Sequence, residues 1–223
     1  AVVTPLGVII SCNEALGALL GRTAGELVGG TFFDVTHPDD LPLARLHCES
    51  MQRGGTRVLG HECRFIRADD LTLWVLVSTS RVPEVPGHPA HLIMHIQDIS
   101  DRKALEAELT HRALHDPLTG LPNRALLMDR LEHALGRSRR SSNPTCVFFL
   151  DLNGFKAVND THGHGAGDAV LQQLARRLSA ILRPGDTAAR LGGDEFVVLL
   201  PETGVEEAIP VAERMRAAVA CRT

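Results

Sequence analysis

The sequence predicts an α+β chain made of a small antiparallel-sheet unit, a linker helix and a second α/β unit. Two observations carry this. Over residues 1–101, short apolar strand runs are punctuated by turn residues and short capped helices. From Asp116 the texture changes to longer helical stripes alternating with apolar strands. The boundaries expected are 1–101, 102–115 and 116–223.

In the first unit, Val2-Val3 and Val8-Ile9-Ile10 flank a Pro5-Leu6-Gly7 turn and predict a hairpin. Asn13 is placed to cap a short helix carrying Leu16, Leu19 and Leu20. Thr23 opens another turn that packs Leu27 and Val28. His37-Pro38-Asp39-Asp40 predicts a third helix, with Pro38 at its first position and acids in its first turn. Strands are expected over 57–66, 71–82 and 91–99. Ala68-Asp69-Asp70 turns between the first two, and Pro83, Pro86, Gly87 and Pro89 fill the next loop. Residues 101–115 read as a helix of alternating charge, with Leu105 and Leu109 one turn apart. That fits a solvated linker or a dimerising stalk equally well.

In the second unit a helix is expected over about 122–136, burying Leu127, Leu131, Ala134 and Leu135. A basic loop over 137–144 follows, its Arg137, Arg139 and Arg140 read as solvated surface. Next come a buried strand over 145–152 and an amphipathic helix over 169–182 with Val170, Leu171, Leu174, Leu178 and Ile181 on one face. A strand–turn–strand spans 187–200. The last helix starts near Glu206, with Pro210 tolerated in its first turn.

The 223-residue length fits one or two domains at roughly 100–200 residues each. A net charge of −4 offers no basic field for nucleic acid, so no nucleic-acid partner is expected. No apolar run approaches a membrane span and no signal peptide is visible, so no membrane contact is expected within this stretch. Cys12, Cys48, Cys63, Cys146 and Cys221 are scattered and read as small buried hydrophobes in a reducing cytoplasm. The chain begins at Ala1 rather than Met, which points to a piece of a longer protein.

The chemistry lies in the second unit. Gly192-Gly193-Asp194-Glu195 sits between two apolar strand runs. Gly-Gly supplies the positive φ of a hairpin turn and lets a phosphate approach the backbone. Two adjacent acids at such a tip repel one another, but make sense around a divalent cation. Asp151, at the end of the 145–152 strand, would share Mg²⁺ (or Mn²⁺) with Asp194 if the strands are neighbours. Taken alone, a strand-end Asp is more often a cap or a surface charge. Two metals about 4 Å apart would activate an attacking hydroxyl and stabilise the leaving phosphate.

These residues also carry a resemblance. RLGGDEF at 190–196, DLNGFKAVNDTHGHGAGD at 151–168 and HDPLTGLPNR at 115–124 resemble, in order and spacing, the GGDEF diguanylate cyclases. The first unit resembles a PAS domain through Glu62-x-Arg64-x-x-Arg67-x-Asp69, Trp74 and the closing Gln97–Lys103 run. The resemblance implies a second domain related to the nucleotidyl cyclase and polymerase palm folds. It also implies condensation of two GTP into cyclic di-GMP, with release of pyrophosphate, by a homodimer under control of the PAS unit.

The resemblance assigns roles. Asp151, Asp194 and the Leu152 carbonyl would hold the metal. Glu195 or Asp194 would help deprotonate the ribose 3′-hydroxyl, and Lys156 would offset phosphate charge. Asn159 and Asp168 would hold guanine, His164 would lie close to the nucleotide, and Gly192 and Gly193 would admit the phosphates. A helix cap at Asp168, and solvated loop positions for His162 and His164, are the plainer readings. Asn153 departs from a second acid common in the family. Arg183-Pro184-Gly185-Asp186 stands at the family's RxxD inhibitory product site, and Arg214 is its expected partner. Without the resemblance, RPGD is a plausible turn. Family members continue with further strands and a helix, so residues 1–223 alone are expected to be inactive.

Three other readings stay open: a non-catalytic GTP or cyclic di-GMP receptor, a regulator of a downstream phosphodiesterase domain, and a PAS unit with an adaptor. The ligand of the PAS unit is not legible. Cys63-Arg64-Phe65 superficially resembles the string of flavin photoreceptors, but it falls in a strand run rather than a helix, so no photoreactive flavin is expected.

Overall fold

The computed structural model describes residues 1–52, 58–87, 89–141 and 143–220. The chain divides into two compact units, Ala1–Ala107 and Glu108–Thr223.

The first unit is a five-stranded antiparallel sheet in the order β2-β1-β5-β4-β3. Its strands are β1 (Val2–Val3), β2 (Ile9–Ser11), β3 (Val58–Ile66), β4 (Thr72–Val82) and β5 (His91–Asp98). The first hairpin forms as expected, with Val3 opposite Ile9. Arg57, the expected start of the third strand, lies outside the described residues. Asp70 takes the left-handed conformation (φ 63°) in the β3–β4 turn. Asp is one of the few residues that tolerate it.

Helices α1 (Glu14–Leu20), α2 (Ala24–Leu27) and α3 (Leu41–Gln52) are packed against this sheet. Asn13 caps α1 by accepting from the Leu16 amide at 3.2 Å. Thr23 and Glu26 form a reciprocal capping box on α2. Two expectations are corrected here. Val28 is exposed while Leu27 is buried, because the helix ends at Val28 and the chain turns outward. Pro38 opens a 3-10 turn, Pro38–Asp40, that leads into α3. The apolar core joins Val3, Leu20, Met51, Phe65, Val75 and Leu92. α4 (Ser100–Leu114) follows the sheet. Glu62 of β3 fixes its first turns through Arg102 (2.7 Å) and Lys103 (2.5 Å). Leu105 and Leu109 are exposed on it.

The second unit is a three-stranded antiparallel sheet in the order β6-β8-β7: β6 (Cys146–Leu150), β7 (Thr187–Gly192) and β8 (Glu195–Leu200). Its helices are α5 (Arg124–Ser141), α6 (Phe155–His162), α7 (His164–Ile181) and α8 (Val205–Ala220). The unbroken apolar run of β8 has a simple cause. Alternate side chains point to opposite faces, and both faces are covered. Phe196, Val198 and Leu200 pack with Leu171, Leu174 and Leu178 of α7 and Met215 of α8. Val197 and Leu199 pack with Leu127 and Ala134 of α5.

Five expectations change in this unit. β6 is not buried on both faces: Val147 is 36% and Phe149 79% exposed, because only the Phe148 face meets the core. α5 runs on to Ser141, so Arg137, Arg139 and Arg140 are helical rather than in a loop, although they remain exposed. Leu135 points outward. α7 starts at His164, which leaves Val170 outside its buried stripe and puts Asp168 within the helix rather than at its cap. Pro210 lies beyond the first turn of α8, where a missing amide does cost an intrahelical bond. Of the cysteines, Cys48 and Cys63 are buried, Cys12 and Cys146 only partly, and all four are free thiols. Cys221 lies outside the described residues.

Candidate active site at one end of the second sheet

The register of the second sheet puts the strand ends that carry the acids next to each other. β6 and β8 are neighbours, with Leu150 opposite Phe196. Asp151 therefore leaves β6 at the edge where Glu195 begins β8. Asp194 immediately precedes it, in the turn made by Gly192 (φ 146°) and Gly193 (φ 52°). These backbone angles are readily open only to glycine. The adjacency on which a shared cation depended is present.

Asp194 is half-buried, and Asp151 and Glu195 are exposed. Among the described residues none of the three carboxylates has a hydrogen-bond or ion-pair partner. The oxygen donors match what Mg²⁺ prefers, and no soft donor competes at this edge. No three His, Cys, Asp or Glu side chains converge among the described residues. A cation held here would need carbonyl, phosphate or water oxygens as well.

α6 and α7 form a helix pair after β6. Gly154 (φ 82°) turns the chain into α6, whose first turn carries Lys156, exposed. The Asn159 Oδ1 is buried and has no hydrogen-bond partner among the described residues. It occupies the place a Cβ on Gly167 would take, so a larger residue there would displace the Asn159 side chain. Asp168, the next residue of α7, is exposed, as are His162 and His164. The structure thus brings Asn159 beside Gly167–Asp168. The orphaned amide oxygen is an unmet capacity of the kind a ligand fills.

Sequence reasoning missed one residue of this region. Arg190 of β7 forks onto both oxygens of Asp116, at 2.9 and 3.1 Å. It also grips the Gly193 carbonyl through Nε (3.0 Å) and Nη2 (2.8 Å). Thr119 donates its amide and hydroxyl to the same carboxylate at 2.8 and 2.6 Å. Burial pushes the Asp116 carboxyl upward, but the Thr119 and Arg190 donors more than offset it and hold its pKa below the ordinary value. Asn123 caps α5 through the Ala125 amide (2.9 Å), and its own amide donates to the Ala113 carbonyl (2.7 Å). The HDPLTGLPNR segment is therefore a brace for the Gly-Gly turn.

Arg183, Asp186 and Arg214 line one cleft of about 450 Å³. Asp186 accepts from the Arg183 Nε at 3.1 Å and is almost fully buried. The other arm of Arg183 reaches the Thr203 hydroxyl (2.8 Å) and the Pro201 carbonyl (3.0 Å). RPGD is a turn, with the Asp186 amide bonded to the Arg183 carbonyl, and Arg214 faces the same space.

In the first unit Cys63 lies in β3, as expected from the strand run. Burial pushes its thiol up to about 12. Trp74 lies under two cations, Arg64 (5.6 Å) and Lys103 (5.2 Å).

Comparison with known proteins agrees with this architecture. Residues 9–94 match the PAS fold family, and residues 113–222 match the diguanylate cyclase GGDEF domain family. Diguanylate cyclase DgcP of Pseudomonas aeruginosa is 36% identical over 93% of this chain, which spans 33% of that protein. A sensory box/GGDEF family protein from Caulobacter crescentus CB15 is 44% identical, covering 48% of this chain and 70% of its own, with a TM-score of 0.46. The coiled coil and GGDEF domain of DgcB from Caulobacter crescentus, solved in complex with c-di-GMP, is 32% identical with a TM-score of 0.51, covering 54% of this chain and 63% of its own. The chain thus spans about a third of the length of the first of these relatives. It is a PAS-fold module followed by a GGDEF domain of the diguanylate cyclase family.

Proposed function

We propose that the protein to which this chain belongs condenses two GTP into cyclic di-GMP, with the PAS-fold module regulating the rate. The observation that supports the reading is the β6–β8 register, which ends β6 at Asp151 where Glu195 begins β8, with Asp194 just before it in the Gly-Gly turn. Asp151, Asp194 and the Leu152 carbonyl would hold Mg²⁺ or Mn²⁺. The bound cation would supply charge neutralisation at the phosphates and a more acidic 3′-hydroxyl. Gly192 and Gly193 let the triphosphate approach the backbone. Lys156 offsets phosphate charge, and Glu195 or Asp194 accepts the 3′-hydroxyl proton. Asn159 and Asp168 bind guanine: a carboxylate accepts from both N1–H and the N2 amine, a pattern adenine does not offer. His164 lies close to the nucleotide.

The product needs two GTP and each domain holds one, so the active form is a homodimer with two-fold symmetry. Cyclic di-GMP is also the ligand of the Arg183–Asp186–Arg214 cleft, where it lowers turnover. The setting proposed is the cytoplasm, where GTP is made. Among the described residues no helix is long and apolar enough to cross a membrane.

The test is chromatographic product analysis of the full-length protein with GTP and Mg²⁺. Asp151→Ala and Asp194→Ala each abolish synthesis if these carboxylates hold the cation. Undiminished turnover in either variant overturns that assignment. GTP binding without any product from the wild type favours the receptor reading instead.

A further inference from the structure

The PAS-fold module contains a small cavity with an unusual donor set. His47 of α3 and His61 of β3 both line it, their rings edge to face with centroids 4.4 Å apart. The Nδ1 of each ring is shut off from solvent and has no hydrogen-bond partner among the described residues. Two such atoms on neighbouring rings are costly, at roughly 1–3 kcal/mol for each unsatisfied group. Native structures rarely leave them so unless water or an ion is bound. Met51 and Met94 line the same cavity with their thioethers.

The size of the cavity narrows the choice. Its volume is about 20 Å³, and one water needs ≳10–15 Å³. It has room for one water or one ion, not for an organic cofactor. The donors narrow it further. No three His, Cys, Asp or Glu side chains converge among the described residues, which leaves the Met51 and Met94 thioethers and the Thr79 hydroxyl as third ligands, and a soft ion prefers the thioether. No carboxylate lines the cavity, which disfavours hard cations that demand oxygen. Cys48 also lines it, but its thiol donates to the Pro5 carbonyl at 3.0 Å and burial raises its pKa. It is therefore a protonated thiol rather than a thiolate. A neutral N, N, S donor set in an apolar core suits a soft monocation, because the cost of burying an ion rises steeply with charge.

We propose that His47 and His61 form the nitrogen half of a Cu(I) site in the PAS-fold module, completed by the thioether of Met51 or Met94. The cation satisfies both orphaned ring nitrogens at once and ties α3 to β3 across the cavity. The site is independent of the cyclase reading, since it involves none of the second unit's residues.

The test uses the whole chain, reduced and anaerobic, titrated with Cu(I) in competition with bicinchoninate. One equivalent should be withheld from the chelator. His47→Gln and His61→Gln should each weaken retention at least about 100-fold, more than loss of a supporting outer-shell contact usually costs. The Met51→Leu/Met94→Leu pair should weaken it too, at nearly constant core volume. Cys12→Ser and Cys146→Ser should leave it unchanged. Nitrogen-15 spectra of the wild type should show both imidazoles shifting on addition of one equivalent, a readout that stands even if a histidine variant fails to fold. No retained equivalent and unshifted imidazoles mean that the cavity holds a water only, and the proposal fails. Retention that survives the histidine changes but not the cysteine changes is a thiol adduct, which also overturns it. Tighter retention of Zn²⁺ than of Cu(I) overturns the monocation assignment.

Discussion

Arg190 holds Asp116 and the Gly193 carbonyl with one guanidinium, so the signature turn is clamped to a loop 74 residues earlier in the chain. Both partners of the ion pair are mostly buried, at 11% and 15% exposure. Asp116→Asn leaves a buried guanidinium short of a counter-charge. Breaking such a pair from one side costs about 3–5 kcal/mol. The expected outcome is a lower denaturation midpoint of the second unit, together with reduced cyclase turnover. Unchanged stability and turnover would show that the clamp contributes nothing.

The same carboxylate sets a pH dependence. Its folded-state pKa lies below the ordinary value of 3.8. A depressed carboxyl contributes stability that is present above the unfolded pKa and lost as pH falls through the folded one. Stability of the second unit should therefore decline as pH drops below about 4. Asp116→Asn should flatten that decline. Parallel acid titrations of wild type and variant by circular dichroism check it, and parallel curves of equal slope contradict it.

Gly167→Ala isolates the guanine pocket. Alanine normally favours a helix over glycine by about 1 kcal/mol. Here its Cβ would land on the Asn159 Oδ1. The side chain must swing away from its position beside Asp168. We expect GTP affinity to fall at least about tenfold, equivalent to 1.4 kcal/mol, while α7 stays folded. Fluorescent-GTP titration beside a helicity measurement separates the two effects. Wild-type affinity would detach Asn159 from guanine recognition.

Much of this site was legible because its residues sit at strand ends, where an apolar run stops and an acid or a Gly-Gly pair begins. Asp151 and Gly192–Asp194 are of that kind, and β6–β8 pairing supplied the rest. The start of α7 was obscured because Gly163, Gly165 and Gly167 have weak helix propensity. The helix nevertheless starts at His164, and Gly167 within it is buried beside the Asn159 side chain. The outward face of β6 was hidden because Val147 and Phe149 are as apolar as the partly buried Phe148 face. The Arg190 brace depends on a contact between residues far apart in sequence, which local periodicity does not encode.

Arg183 is committed to Asp186, Thr203 and Pro201, so product binding at this cleft must compete with bonds already made. Arg183→Ala is expected to relieve inhibition by cyclic di-GMP while leaving initial turnover largely intact. It should also cost about 1 kcal/mol of stability from the lost hydrogen bonds. Titration with product checks the first part and chemical denaturation the second. An inhibition curve that does not move leaves RPGD as a turn alone.

Cys63 provides the last prediction. The thiolate, not the thiol, is the reactive form of cysteine. In β3 the Cys63 side chain is 4% exposed, and burial has raised its pKa to about 12. At neutral pH almost none of it is ionised, and the sheet blocks approach of a reagent. Its unfolded pKa is near 9, so folding raises the value. The linkage sign follows: the folded state is favoured while the thiol stays protonated, and stability falls as pH rises above about 9. Cys63 should therefore resist alkylation in the native chain at neutral pH, while the partly exposed Cys12 and Cys146 react. It should form no light-driven adduct with a flavin. Mass-spectrometric mapping after timed iodoacetamide treatment, with an illuminated absorption spectrum of the same sample, tests both. Labelling of Cys63 as fast as Cys146, or a light-reversible flavin band, would show that β3 opens far more readily than its burial implies.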